Sequence, residues 1–153
     1  MRAPIKTAAT FVFVFVCVAA AGANAAVDFR SVGERPAILY DAPSQKASKL
    51  FIVGRQQPVE VLVKLDKWSK VRDFSGEIAW IENQFLSDKH YFVVLADSAE
   101  VHTQPNDAAP LVFKVRKHVL LEPAGSPPAN GWVSVRHSDG QQGFIKTAQI
   151  WGG

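Results

Sequence analysis

Short segments of alternating apolar and polar residues make up most of the chain. Val59 to Val63 alternates in this way and predicts a strand with one buried face. Trp68 to Arg72 alternates as well, and Ser75-Gly76 follows before a further strand led by the aromatic Trp80. Glycine supplies the positive φ that a tight turn requires. The pattern therefore predicts a β-hairpin that begins at Trp68.

The same hairpin pattern returns 64 residues later, beginning at Trp132. The two copies share Trp, Val-Arg, Gly and aromatic-Ile at matching positions with no gap. Upstream matches give slightly different offsets: Pro105 is 62 residues after Pro43, Leu111 is 61 after Leu50, and Val119 is 60 after Val59. A repeat this regular predicts one supersecondary unit used twice.

The N-terminus has the composition of a cleaved signal peptide. Arg2 and Lys6 precede an unbroken apolar run, Phe11 to Ala21, and Ala23-Asn24-Ala25 supplies small residues at a cleavage position. The run is shorter than the roughly 18 residues that span a bilayer. We expect cleavage after Ala25, with Ala26 as the alternative, and an exported protein, periplasmic or secreted, with no membrane span once the signal is removed.

Removal of residues 1–25 leaves 17 − 2 = 15 basic and 14 acidic residues, a net charge of +1. A basic stripe with interleaved aromatics is missing, so nucleic acid is not an expected partner. Cys17 is the single cysteine and lies in the signal, where we expect it to be discarded and not lipidated. Without disulfides, two units of about 60 residues are near the marginal size for stability. We therefore expect them to pack on one another.

Two segments outside the hairpins have their own predictions. Asp28 to Glu34 is polar and predicts a lead-in without a strand, whereas His90 to Leu95 predicts a strand that enters the second unit. Pro123 to Gly131 is rich in proline and predicts an extended, polyproline-prone loop before Trp132. Such a loop is a stiff connection or, alternatively, a ligand for another protein.

The paired motif Trp-x-x-Val-Arg, then Gly, then aromatic-Ile resembles the bacterial SH3-like (SH3b) domains. Tyr40-Asp41-Ala42-Pro43-Ser44 is similar to that family's first strand and loop, and the resemblance covers nearly all of the chain after the signal. It implies an all-β protein of two tandem five-stranded small barrels, residues 32–87 and 90–152. One departure is Ala79, where the family has Gly; Gly143 keeps it in the second copy.

Candidate chemistry in the chain is sparse. The cell-wall cysteine peptidases that carry such domains need a Cys–His pair, which the chain lacks once Cys17 is removed. A zinc site formed by His102, His118 and His137 is the alternative to solvated histidines, but the spacing of these residues does not favour it. Asp73 with Glu77, and Asp66 with Glu60, are carboxylate pairs of the kind glycosidases use, although nothing predicts an enclosing pocket. We expect no enzyme activity, metal or cofactor.

A binding surface is the remaining possibility. SH3 folds bind extended peptides in aromatic-lined grooves. The candidate ligand-binding residues are Tyr40, Asp41, Trp68, Phe74, Trp80, Trp132 and Phe144. Among them Tyr40 and Trp80 form the favoured pair. The expected function is a cell-envelope binding module for peptidoglycan peptide or glycan, or for another extended peptide. The alternative is a protein-interaction adaptor for an envelope enzyme or receptor.

Overall fold

The computed structural model describes residues 27–125 and 127–153, so the signal peptide predicted for residues 1–25 lies outside the described residues. In this part of the chain no helix has the length and hydrophobicity needed to cross a bilayer. Apart from two 3-10 turns, Asn83–Phe85 and Thr147–Gln149, the regular structure is β. The strands are β1 Phe29–Val32, β2 Ala37–Tyr40, β3 Lys49–Val53, β4 Pro58–Lys64, β5 Trp68–Arg72, β6 Ile78–Glu82, β7 Leu86–Ser87, β8 Phe92–Val94, β9 Ser98–His102, β10 Leu111–Arg116, β11 Leu120–Pro123, β12 Trp132–Arg136, β13 Gln142–Lys146 and β14 Ile150–Gly152.

The strands form two antiparallel sheets of seven strands each. Their orders are β3-β2-β6-β5-β4-β1-β7 and β10-β9-β13-β12-β11-β8-β14. Adding seven to each label of the first order gives the second. The two units, called the first repeat (β1–β7) and the second repeat (β8–β14), therefore share one topology. The all-β tandem fold is confirmed, with two more short strands per unit than the five expected.

Strand register fixes how the repeats correspond. Glu60 lies opposite Arg72, and Glu122 lies opposite Arg136. Ala37 pairs with Val53 as Ala99 pairs with Val115. The offset is therefore 62 residues through β11 and 64 from β12 onward. The matches of Leu50 with Leu111 and of Val59 with Val119 were wrong by one and two residues. The two extra residues lie in the loop before Trp132.

Each repeat has its own apolar core, built from the inward positions of its alternating strands. Leu39, Val71 and Ile81 are completely or almost completely buried in the first repeat. Val101, Val135 and Ile145 occupy the matching positions in the second. The outward positions of these strands, between the core residues, are thereby left for other contacts.

The prediction of an irregular lead-in before the first repeat was wrong. Residues 29–32 form β1, which pairs with β4 through Arg30 and Val59 and with β7 through Val32 and Leu86. Val32 and Ser31 are buried. Backbone pairing on both sides, together with burial of Val32, holds a strand whose sequence has little apolar alternation.

The two repeats contact one another as expected. The Phe29 ring packs edge-on against Trp151, with centroids 5.0 Å apart. The Phe74 ring lies 5.0 Å from the His118 ring. Gly152 lies so close to the first repeat that a Cβ atom added there would be 2.7 Å from Cβ of Pro58. The interface thus joins the first strand of the chain to its last.

Candidate functional site

Three aromatic residues of the first repeat lie on the outer face of β2, β5 and β6. Tyr40 is the cross-strand partner of Trp80, and the Tyr40 ring packs edge-on against Trp68 with centroids 5.3 Å apart. Side chains alternate between the two faces of a strand. Because Val71 and Ala79 point into the core, Trp68 and Trp80 point outward. The predicted residues Tyr40, Trp68 and Trp80 therefore share one surface.

The second repeat carries the equivalent aromatic surface on β9, β12 and β13. His102 takes the place of Tyr40 and pairs with Phe144. Its ring packs edge-on against Trp132, with centroids 5.8 Å apart. We call the outer surface formed by His102, Trp132 and Phe144 the Trp132 face.

The loop before Trp132 adds a wall that the first repeat lacks. Asn130 and Gly131 both have positive φ, 52° and 80°, and make a two-residue hairpin turn. Ala129 and Trp132 exchange backbone hydrogen bonds of 2.9 and 3.0 Å across it. The Gly131 carbonyl also accepts a 2.9 Å hydrogen bond from the Thr147 backbone N–H. The proline-rich segment is therefore anchored beside Trp132.

An apolar pocket of about 140 Å³ results on one side of Trp132. Its lining residues are Pro105, Pro127, Ala129, Asn130, Trp132, Ser134 and Phe144. Two prolines and two aromatic rings provide rigid surfaces, which lose little conformational entropy when they contact a ligand.

Trp132 also lines a charged pocket of about 250 Å³. It is lined by Ser98, Glu100, His102, Asp107, Trp132, Lys146 and Gln149. Lys146 Nζ lies 2.6 Å from Asp107 Oδ1 and 5.5 Å from the centre of the Trp132 ring. A hydrogen bond from Lys114 and its positive charge lower the pKa of Glu100. Trp132 therefore lines both an apolar pocket and one that offers both signs of charge.

The corresponding surface of the first repeat is more open. The depression beside Trp68 measures about 470 Å³ and is lined by Pro43, Ser44, Gln45, Lys46, Lys67, Trp68 and Glu82. Tyr40 is only 6% exposed, and Lys70 Nζ lies 6.0 Å from the centre of the Trp80 ring. Tyr40 is therefore about as buried as His102, which is 7% exposed at the equivalent position of the second repeat.

Two predicted residues lie apart from these aromatic rings. The Asp41 carboxylate accepts a 3.0 Å hydrogen bond from the Ser48 backbone N–H and closes the loop after β2. Phe74 is at the tip of the β5–β6 hairpin, six positions after Trp68, or about 20 Å at the rise of an extended strand. It packs on His118 at the contact between the repeats.

The catalytic arrangements considered from the sequence do not assemble in the described residues. The Asp73 carboxylate accepts hydrogen bonds of 2.8 and 3.0 Å from the backbone N–H groups of Ser75 and Glu77, so it stabilises its own turn. Glu60 accepts a 2.8 Å hydrogen bond from Arg72. In residues 27–125 and 127–153, no three His, Cys, Asp or Glu side chains gather in a group that could hold a metal ion.

Sequence reasoning missed His102 of the Trp132 face and several residues that line the two pockets beside it. The predicted ligand-binding residues include Trp132 and Phe144. They omit His102 and the pocket-lining residues Pro105, Asp107, Pro127 and Lys146. The one local signal was the Asn130-Gly131 pair, which favours a two-residue hairpin turn. That signal places the proline-rich loop next to Trp132.

Three solved structures are similar to the chain over most of its length. NlpC1 from Trichomonas vaginalis is 13% identical with a TM-score of 0.39, over 90% of this chain and 50% of that one. NlpC2 from the same organism is 12% identical with a TM-score of 0.37, over 80% and 47%. An NlpC/P60 family protein from Bacillus cereus ATCC 10987 is 12% identical with a TM-score of 0.37, over 82% and 56%. The chain thus spans about half the length of these proteins.

No curated protein matches the sequence. The family model described as the bacterial SH3 domain matches it twice, at residues 33–88 and 96–152. These segments fall in the first and second repeats and together cover most of the chain. The chain therefore belongs to the bacterial SH3 domain family.

Proposed function

We propose that the protein is a non-catalytic binding module of the cell envelope, which recognises the peptide of peptidoglycan through the Trp132 face. Bacterial SH3 domains are typically binding modules. The observation that carries the proposal is that Trp132 lines both an apolar pocket and a charged one.

The chemistry of the two pockets fits an extended peptide that bears both amines and carboxylates. Glu100 and Asp107 offer acceptors for an ammonium group, and Lys146 offers a donor for a carboxylate. The apolar pocket accommodates a small aliphatic side chain such as that of alanine against Trp132 and Phe144. A glycan ring stacked on the same indole is the other wall component that this surface accommodates.

Sedimentation with purified, insoluble peptidoglycan tests the proposal. Trp132→Phe keeps an aromatic ring but reduces the aromatic surface that lines the two pockets. We therefore expect about tenfold weaker binding, equivalent to about 1.4 kcal/mol. Asp107→Asn removes a carboxylate from the charged pocket and should weaken binding as well.

The internal repeat provides a matched control. Trp68→Phe makes the same change at the equivalent position of the first repeat, and we expect it to sediment as the unchanged protein does. The proposal fails if the unchanged protein stays in the supernatant. It also fails if Trp132→Phe and Trp68→Phe have equal effects.

One observation favours the second candidate function, an adaptor for an envelope protein. β3 is an edge strand of its sheet, and its Ile52 is 71% exposed. Ile52 faces Ile38 across the sheet, at the position where the second repeat has the ion pair of Glu100 and Lys114, 2.7 Å apart. An unpaired apolar edge allows an extended segment of a partner to add as a further strand.

Cross-linking of the exported protein in intact cells tests the adaptor. We expect Ile52→Lys, which copies the charged edge of the second repeat, to abolish recovery of a reproducible envelope partner. Trp132→Phe should leave that recovery unchanged, whereas loss with Trp132→Phe and retention with Ile52→Lys would overturn this candidate.

A further inference from the structure

A cavity of about 330 Å³ lies where the two repeats meet, away from the Trp132 face. The first repeat contributes Arg55 and Gln56 from the loop between β3 and β4. The second contributes Tyr91, Val119, Leu120, Glu122, Arg136, His137 and Ser138. Ligand sites occur preferentially at such junctions between folded units.

Two arginines line the cavity, Arg55 from the first repeat and Arg136 from the second. Among the described residues, neither Arg55 nor Arg136 has a carboxylate oxygen within 4.0 Å. With the Gln142 amide turned so that its oxygen faces the guanidinium, Arg136 donates a 2.9 Å hydrogen bond from Nε. That contact is neutral and leaves the positive charge of Arg136 without a counter-charge.

Arg136 lacks the ion pair that its counterpart, Arg72, forms in the first repeat. Arg72 donates a 2.8 Å hydrogen bond from Nε to Glu60 in the first repeat. Glu122 lies opposite Arg136 in the same register but forms no ion pair with it. Glu122 instead acts on Tyr91: burial of the Tyr91 hydroxyl, with the negative charge of Glu122 as a further cause, raises the pKa of that tyrosine.

We propose that this cavity is a binding site for the phosphoryl group of a phosphate ester. Two guanidinium forks, one from each repeat, suit an anion with acceptor oxygens on more than one side. A carboxylate has two oxygens, which a single arginine fork occupies, whereas a phosphate monoester has three terminal oxygens and up to two negative charges. The Ser138 hydroxyl and the His137 ring lie in the same lining and add polar contacts. Glu122 is the opposing charge in the lining, and the Asp139 carboxylate lies 3.0 Å from Nδ1 of the lining residue His137.

Calorimetric titration of the mature protein with glycerol 3-phosphate tests the site, with acetate as the carboxylate comparison. We expect saturable binding of the phosphate ester and none of acetate. Arg55→Gln and Arg136→Gln should each weaken binding about tenfold or more. Arg116→Gln removes an exposed arginine of β10 that does not line the cavity and should leave binding unchanged.

Ser138→Asp tests the site without removing an arginine. It adds a negative charge to the cavity lining and should abolish phosphate binding while the thermal midpoint stays near that of the unchanged protein. A lack of heat with glycerol 3-phosphate, equal binding of acetate, or an equal loss with Arg116→Gln would each overturn the proposal. Vesicles that contain phosphatidic acid, whose headgroup is a phosphate monoester, distinguish a lipid headgroup from a soluble ester. Retention on these vesicles that Arg55→Gln abolishes would assign the phosphate to a lipid, and heat with glycerol 3-phosphate without retention on vesicles would assign it to a soluble ester.

Discussion

Phe29 packs edge-on against Trp151, with ring centroids 5.0 Å apart, so the first strand of the chain is held against the last. Because each repeat is near the marginal size for independent folding, this contact should couple them. We expect Trp151→Ala to lower the free energy of unfolding by about 2–3 kcal/mol through lost aromatic packing. Calorimetry should show one transition for the unchanged protein and an earlier or divided one for the variant.

Leu111→Ala is the control for this prediction, because Leu111 is 47% exposed at the other edge of the second repeat. We expect it to change the midpoint little. An unchanged midpoint for Trp151→Ala would mean that the repeats fold independently.

Trp132 should contribute less to stability than its size suggests, because it is half-buried between two pockets. Removal of a fully buried tryptophan costs about 3–5 kcal/mol. We expect Trp132→Ala to cost about 2 kcal/mol, at most as much as Ile145→Ala, whose side chain is fully buried. Urea unfolding of both variants measures the difference. A clearly larger loss of unfolding free energy for Trp132→Ala than for Ile145→Ala would show that Trp132 is a core residue.

Gly143 is required for space and not for an unusual φ. A Cβ atom there would lie 2.6 Å from the carbonyl oxygen of His102. Ala79 at the equivalent position of the first repeat is accommodated and 2% exposed, which resolves that departure from the family pattern. We expect Gly143→Ala to destabilise the protein by about 1–3 kcal/mol through overpacking. Chemical unfolding should show it, and Ala79→Gly should cost about 1 kcal/mol or less. Equal stability of Gly143→Ala and the unchanged protein would contradict this account.

Asp139 should titrate unusually low. The Gln141 backbone N–H, the Gln141 side-chain amide and then His137 lower the pKa of Asp139 from 3.8 to about 2. A folded-state pKa below the unfolded value stabilises the native state above pH 3.8, and this contribution is lost as the pH falls towards 2. Carboxyl-carbon NMR should therefore give a midpoint near 2, and Gln141→Ala should raise it. A midpoint near 3.8 in the unchanged protein would disprove these hydrogen bonds.

The repeat and its strands could be predicted because the Trp-led hairpin has three reinforcing signals: alternation, a turn glycine and a second copy. The residue offsets between the two repeats were harder to predict for the segments before the hairpin. A strand pattern has a period of two, so a shift of two residues at Val59 keeps every apolar residue on the same face. The pairing of Glu60 with Arg72 fixes the register, and that pairing is visible only in the folded structure. β1 escaped prediction for a related reason, since backbone partners on both sides hold it.

Only part of the Trp132 face and of its surroundings could be predicted from the sequence. Trp132 and Phe144 follow from the hairpin motif itself, but the walls around them come from the loops that carry Pro105 and Pro127. Those loops are brought together by the fold and not by any spacing in the sequence. The burial of Tyr40 and the lysine beside Trp80 are likewise set by the fold, and a sequence pattern reports neither.

Nitrogen-15 NMR of residues 26–153, titrated with a soluble peptidoglycan fragment, measures most directly whether the Trp132 face is the binding surface. We expect the largest shift changes at the indole N–H of Trp132 and the amides of Phe144 and Lys146, with little change at the indole N–H of Trp68. Changes centred on Trp68, or a spectrum that stays the same as the fragment approaches saturating concentration, would contradict recognition through the second repeat.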